Sequence, residues 1–343
     1  MTPARRILPI FVPHLGCPFS CVFCDQRRIS GETAPPAPEE VDRRIREAAI
    51  REPVEVAFYG GSFTAVEPAL QDALLGAVEP HLRSGRVSSI RVSTRPDFVD
   101  GDTLRRISLA GVRTVELGIQ STSDEVLSRS GRGHTAADAR RGAKSVKDAG
   151  MHLVLQMMTG LPGSDGDRDR DTARDLIEMR PDAVRIYPTV VIRGTELEML
   201  WRSGQYRPQT VEEAAELCAL LWEDFSRARI PVIRCGLNPT EELSGGEALA
   251  GPYHPAFGEL VQSARYRKLA SSLLSSCAGK DVVLEVARGQ RSAATGQHRE
   301  NLRRLVSQFS LQSLSIREAD LPKGEIRRRS LQKGEKPDII KCC

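Results

Sequence analysis

No apolar run in these 343 residues is long enough to cross a bilayer. Nor does a charged-then-apolar leader with a small-residue cleavage site open the chain, so a cytoplasmic protein with no membrane partner is expected. Internal repeats are missing. So is the even spread of cysteines that a disulfide framework needs. Of eight cysteines, Cys17, Cys21 and Cys24 crowd together, Cys218, Cys235 and Cys277 are scattered, and Cys342 and Cys343 end the chain. A second cysteine pair, the usual complement of a structural zinc site, is absent from the first 240 residues, and only His14 stands near the cluster. Net charge is small, +4, but unevenly placed: residues 261–343 carry 17 Lys/Arg against 8 Asp/Glu, leaving the rest at −5. A basic end behind a mildly acidic body suits a polyanionic partner, nucleic acid first, or else is a solvated tail.

What is present is a chain 40% hydrophobic, enough for one large core and an appendage. Short apolar runs at Ile7–Val12, Val54–Phe58, Ser89–Ser93, Thr114–Ile119, Leu153–Met158 and Val184–Tyr187 predict strands. Amphipathic stretches at Glu39–Ile50, Pro68–Leu82, Gly101–Leu109, Ala136–Ala149, Asp169–Glu178 and Val211–Ala228 predict helices between and after them. Strand–helix–strand alternation implies a parallel sheet, here an α/β partial (β/α)6 TIM-like barrel over residues 1–240, with its chemistry at the carboxyl ends of the strands. Residues 241–259 read as a linker. Leu260–Ser276, Asp281–Val286, Gln297–Phe309 and Leu314–Glu318 give a small basic α/β appendage over 260–329, and 330–343 a frayed tail.

The motifs follow the predicted strands. Three thiolates from Cys17, Cys21 and Cys24 can hold three corners of a 4Fe–4S cluster and leave one iron open. Phe23 beside them is an apolar plate. Gly60 and Gly61, before Ser62, leave backbone free for a ligand's close approach. Gln120 ends a strand as a hydrogen-bonding residue, and the Arg132 guanidinium suits a carboxylate. Gln156 and Met158 end another strand, where Met157 and Met158 also read as ordinary core.

The cysteine loop resembles the signature of the radical S-adenosylmethionine (radical SAM) superfamily. Segments Ser93–Asp97, Arg132–Thr135, Lys147–Gly150, Met157–Pro162 and Arg185–Leu197 resemble the radical SAM core of the Elongator catalytic subunit, over about Ile7 to Tyr206. The resemblance implies a 4Fe–4S cluster on Cys17, Cys21 and Cys24, and S-adenosylmethionine (SAM) as cosubstrate. It implies contacts from Gly60, Gly61 and Ser62 to the methionine amino group, Arg132 to its carboxylate, Gln120 and Gln156 to ribose, and Phe23 and Met158 to adenine. Ser93 stands where that family has glutamate. A low-potential donor such as flavodoxin or ferredoxin, and transfer RNA as substrate through the basic end, are the implied partners. Tyr187, Thr189, Arg193 and Glu196 are expected at the barrel mouth.

The departures are equally specific. The first cysteine gap is the shorter one shared with oxygen-independent coproporphyrinogen oxidase. An amino-terminal RNA-binding region and an acetyltransferase-like domain are not expected, so carboxymethylation is not carried over. A radical SAM enzyme acting on a small molecule, porphyrinogen or peptide remains open, as does a non-enzymatic RNA-binding or metal-sensing protein.

Overall fold

The computed structural model describes residues 6–12, 16–25, 34–240 and 243–329, together with the backbone of 338–341. Strands β1 (Ile7–Phe11), β2 (Val54–Tyr59), β3 (Val87–Thr94), β4 (Val112–Gln120), β5 (His152–Thr159) and β6 (Ala183–Pro188) lie side by side in sequence order, all parallel. A two-residue strand, β7 (Val191–Ile192), follows. The short β8 (Val232–Cys235) then adds a seventh strand beyond β6. The sheet is a curled partial barrel of seven strands, one more than the apolar runs suggest, because β8 is only four residues long.

Alternation along the strands separates two faces. Val56, Phe58, Ile90, Val92, Val115, Leu117, Leu153, Leu155, Val184 and Ile186 fall on the convex face and join the main core with the covering helices. Their neighbours Glu55, Tyr59, Arg91, Glu116, Gln156 and Arg185 point the other way, into the barrel, because successive strand residues face opposite sides. The interior is therefore polar, unlike the aliphatic fill of a closed barrel.

Helices are fixed by local chemistry. Val211–Arg227 starts at a reciprocal capping box between Thr210 and Glu213, and Ala136–Asp148 at one between Thr135 and Asp138. The single helix expected over Pro68–Leu82 is two, Pro68–Gly76 and Glu79–Arg83. Gly76 ends the first and Pro80, lacking an N–H, belongs to the first turn of the second. The helix expected from Gln297 begins at Glu300, after His298 and Arg299 take left-handed φ of 49° and 62°.

Residues expected as a linker return to the barrel: β9 (Ala248–Ala250) pairs antiparallel with β7. Beyond it, β10 (Asp281–Ala287), β11 (Ser313–Ala319), β12 (Glu325–Arg328) and β13 (Asp338–Lys341) form a second sheet in the order β11-β10-β12-β13. The tail expected to fray thus contributes a strand. Helix Phe257–Leu274 belongs to both bodies: Phe257, Val261 and Ala264 enter the barrel core, and Tyr266, Ala270, Leu273 and Leu274 the appendage core. Among the described residues no helix is long and apolar enough to cross a membrane.

Candidate active site in the barrel mouth

A cavity of about 290 Å³ opens at the carboxyl ends of the barrel strands. Cys17, Cys21, Phe23, Cys24, Gly60, Gly61, Ser93, Gln120, Arg132, Gln156 and Met158 all line it, eleven of the twelve residues singled out in the sequence. Ser62 does not. It is fully buried behind the glycine pair, its hydroxyl sharing a hydrogen bond with Thr94 Oγ1 at 2.9 Å and accepting the Arg95 N–H at 3.3 Å.

The cysteine loop is clamped by backbone. Val22 N–H donates to Ser130 O at 3.1 Å, Leu197 N–H to Val22 O at 2.8 Å, and Cys24 N–H to Cys21 O at 3.0 Å. Gly133, at φ 75°, makes room for Phe19, whose ring lies 2.5 Å from where a Cβ would be. Arg95, only 2% exposed, stacks 4.6 Å from that ring, grips Asp97 through Nε and Nη2 at 3.0 and 2.8 Å, and donates to Arg132 O at 2.7 Å. Burial pushes the Cys17 thiol above its ordinary pKa, and the Arg132 charge partly opposes this.

Arg132 is 7% exposed. Its Nη2 donates to Gly118 O at 2.5 Å and Nη1 to Cys21 Sγ at 3.6 Å, while Nε has no partner. A Cβ at Gly118 would stand 2.8 Å from Nη2, so a larger residue there would push the guanidinium aside. By two residues on, the β4–β5 register has shifted and Gln120 takes a left-handed φ of 69°, strained for a residue with a side chain. Its Oε1 is buried without a partner. Two uncommitted buried polar atoms in one cavity wall mark a place prepared for a polar ligand.

Below them lies a charge network that the sequence reading missed. Glu116, fully buried, accepts from Arg91 Nη1 (2.6 Å), Arg185 Nη2 (3.0 Å), Tyr59 Oη (3.1 Å) and Gln156 Nε2 (2.7 Å). Arg91 also pairs with Glu55 at 2.7 Å, and Glu55 accepts from Thr114 at 2.9 Å. Arg185 Nη2 reaches Tyr59 Oη at 2.9 Å, and its Nη1 donates to Tyr187 Oη at 3.3 Å. Two guanidinium groups and two carboxylates balance. The available signal was charged residues alternating with aliphatic ones inside strands β2, β3, β4 and β6.

Of the residues expected at the mouth, Tyr187 lines the cavity. Thr189 is buried and donates to Thr159 O at 2.7 Å, and Arg193 reaches Gly246 O at 3.3 Å. Glu196 lines a separate groove of about 1140 Å³ along the Gly160–Gly166 loop. His14 lies outside the described residues. His134 is buried, bonded through Nε2 to Ile119 O at 3.2 Å, and pushed down to about 4 by burial and the nearby Arg132 and Arg95 charges. His152 sits 3.6 Å from Asp182, and His254 accepts the Ala256 N–H at 3.1 Å, both away from the cavity. Among the described residues no three His, Cys, Asp or Glu side chains converge on a site for a single metal ion.

Residues 11–176 match the Radical SAM superfamily, and residues 181–267 match the Radical SAM C-terminal domain. The chain belongs to the radical SAM superfamily. It is an enzyme of that superfamily, whose general reaction is cleavage of SAM at an iron–sulfur cluster, and its cofactors are a 4Fe–4S cluster and SAM.

Among relatives, it is 32% identical over 184 residues to a tRNA uridine(34) acetyltransferase of Methanocaldococcus jannaschii, covering 48% of this chain and 34% of that one. It is 33% identical to the human Elongator complex protein 3 over 186 residues, with the same coverages. The chain spans about a third of the length of these relatives. In fold it resembles an amino-terminally truncated archaeal Elongator protein of Methanocaldococcus infernus, with a TM-score of 0.61 and 23% identity over 77% of this chain and 63% of that one. The SAM-bound SuiB of Streptococcus suis gives 0.50 and 13%, over 70% and 49%.

Proposed function

We propose that Cys17, Cys21 and Cys24 hold the 4Fe–4S cluster and that SAM lies across the strand ends above the charge network. The carrying observation is that the eleven residues, chosen from six separate segments, line one cavity. A loop offering three thiols and no carboxylate or imidazole suits a soft iron–sulfur centre. The backbone at Gly60 and Gly61, braced from behind by buried Ser62, takes the methionine amino group, and Arg132, with Nε uncommitted, takes the carboxylate. Gln120 and Ser93 reach ribose. Gln156 is less suited to that part because its amide is already held by Glu116. Phe23 and Met158 flank adenine. When bound, cluster and SAM supply a 5′-deoxyadenosyl radical on one-electron reduction by a low-potential donor of the flavodoxin or ferredoxin kind. The protein's residues orient the reactants and keep water from them.

The substrate we read is transfer RNA. The relatives' names point to tRNA uridine, and the appendage presents Arg288, Arg291, Arg299, Arg303 and Arg317 exposed, none in an ion pair among the described residues. Unpaired cations bind a phosphate backbone by releasing its counterions.

Anaerobic reconstitution with iron, sulfide, dithionite and SAM tests both halves. Formation of 5′-deoxyadenosine, lost in Cys21→Ala, supports the site assignment; a Cys21→Ala protein that still loads cluster overturns it. RNA affinity that falls steeply with salt supports the substrate, and salt-independent or undetectable binding counts against it.

A further inference from the structure

Arg185 donates Nη1–H to the Tyr187 hydroxyl, and nothing among the described residues accepts the Tyr187 proton. With its oxygen already serving as acceptor, Tyr187 faces the cavity as a donor, and the guanidinium behind it strengthens that donor. Beside it on β5, Gln156 gives its amide N–H to Glu116. A carboxylate receiving two guanidinium groups can only accept, so the Gln156 amide cannot turn over and its Oε1 is left as the acceptor. Strand register pairs Gln156 with Arg185 and Met158 with Tyr187, making Gln156 and Tyr187 diagonal neighbours on the barrel's inner face. Both are partly exposed and both line the cavity. Because Glu55 and Glu116 balance Arg91 and Arg185, the floor asks for a neutral ligand edge rather than an anion.

Resting on the transfer-RNA reading above, we propose that Tyr187 and Gln156 form a donor–acceptor pair that reads the imide edge of a uracil ring, Tyr187 giving its proton to a ring carbonyl and Gln156 accepting the ring N–H. Arg185 and Glu116 are the positioning residues that fix both directions. Cytosine presents an acceptor where uracil has its N–H, and an amino group in place of the 4-carbonyl, so the acceptor at Gln156 loses its partner in either orientation and the pair disfavours cytosine. Recognition of this kind is selective because a mismatched base leaves buried polar groups unpaired.

The test uses the cluster-loaded enzyme with SAM and an anticodon stem-loop RNA carrying uridine, 2-thiouridine, 4-thiouridine or N3-methyluridine at the wobble position. RNA-dependent 5′-deoxyadenosine formation is read as kcat/KM. The wild-type protein should lose about tenfold on one of the thio bases and on the N3-methyl base, since sulfur accepts weakly and the methyl removes the donor. Tyr187→Phe should lose a similar factor on uridine, treat that thio base like uridine and still reject the N3-methyl base. Gln156→Leu should show the converse. Arg185→Lys keeps the charge but loses the fork, and should fall between wild type and Tyr187→Phe. If either single variant folds poorly in a thermal melt, the other decides. Should Tyr187→Phe and Gln156→Leu discriminate as the wild type does, the imide assignment is wrong while the RNA reading stands. A wild-type enzyme that cleaves SAM without any response to RNA overturns the RNA reading, and this assignment with it.

Discussion

Arg91 and Arg185 inside the barrel, and Arg299 and Arg317 on the appendage, carry the same group into opposite settings. The first two have side chains 12% and 11% exposed and are held by Glu55 and Glu116. The others are exposed and make no ion pair among the described residues. Burying a guanidinium requires matched carboxylates, so the barrel's charges are committed to shaping the cavity floor. Exposed, unpaired charges need no such match and remain free for a polyanion. Where the two bodies meet, Arg267 pairs with Glu216 and Arg304 with Glu212, so part of the appendage's positive charge is used in docking.

The strongest test of this contrast is Glu116→Ala. It leaves Arg91 with one partner and Arg185 with none but Tyr hydroxyls, and should destabilise the fold by about 3–5 kcal/mol in urea unfolding. A loss below about 1 kcal/mol would make the buried network no more structural than a surface pair.

The sequence showed the convex half of the barrel well, because aliphatic residues at period two in β2 to β6 leave a strong pattern. The concave half was harder. Glu55, Arg91, Glu116 and Arg185 interrupt that pattern, and charges inside a strand look like solvent-facing positions until the sheet curls round them. The cysteines, glycines, Gln120 and Arg132 were legible because each follows a strand, where a parallel barrel gathers its ligands. The side-chain seclusion of Ser62 was not, since packing against Thr94 and Arg95 is a long-range event. In the appendage, β12 escaped notice because Arg327 and Arg328 disguise a strand whose buried Ile326 is its one apolar residue.

A smaller effect is expected from pH. His134 belongs to the committed side, neutral between Arg132 and Arg95, with its pKa lowered from 6.5 to about 4. Its contribution is full above 6.5 and is lost as pH falls toward 4, on the order of 3 kcal/mol at the limit. Asp169, raised to about 6 by burial, runs the other way: it favours the folded state below 3.8 and loses that effect as pH rises through 6. The difference between the wild-type protein and His134→Gln isolates the histidine. That difference should shrink steadily from pH 7 to pH 4 in thermal melts, and a constant difference would place a cost on His134 unrelated to its charge.

On the appendage, Arg299, Arg303 and Arg317 changed together to Gln should weaken RNA binding at least about tenfold near physiological salt and lower the log–log salt slope by about 2–3. Stability should stay within about 0.5 kcal/mol, since all three are exposed and none is in an ion pair among the described residues. A large stability loss with unchanged RNA binding would reverse the roles assigned to the two regions.

The smallest effect tests the junction. Arg304→Ala removes an ion pair to Glu212 from a side chain 40% exposed. In a double-mutant cycle with Glu212→Ala the coupling should be about 0.2–1 kcal/mol. A larger value would mean that charge docks the appendage. The shared helix argues otherwise: Phe257, Val261 and Ala264 are packed in the barrel core while Tyr266, Leu273 and Leu274 are packed in the appendage core. Apolar burial on both ends of one rigid helix ties the bodies together whatever the charges do. It also means that deleting residues from 261 onward would cut through that helix and strip Val261 and Ala264 from the barrel, so RNA binding is better tested by substituting the outer arginines than by truncation.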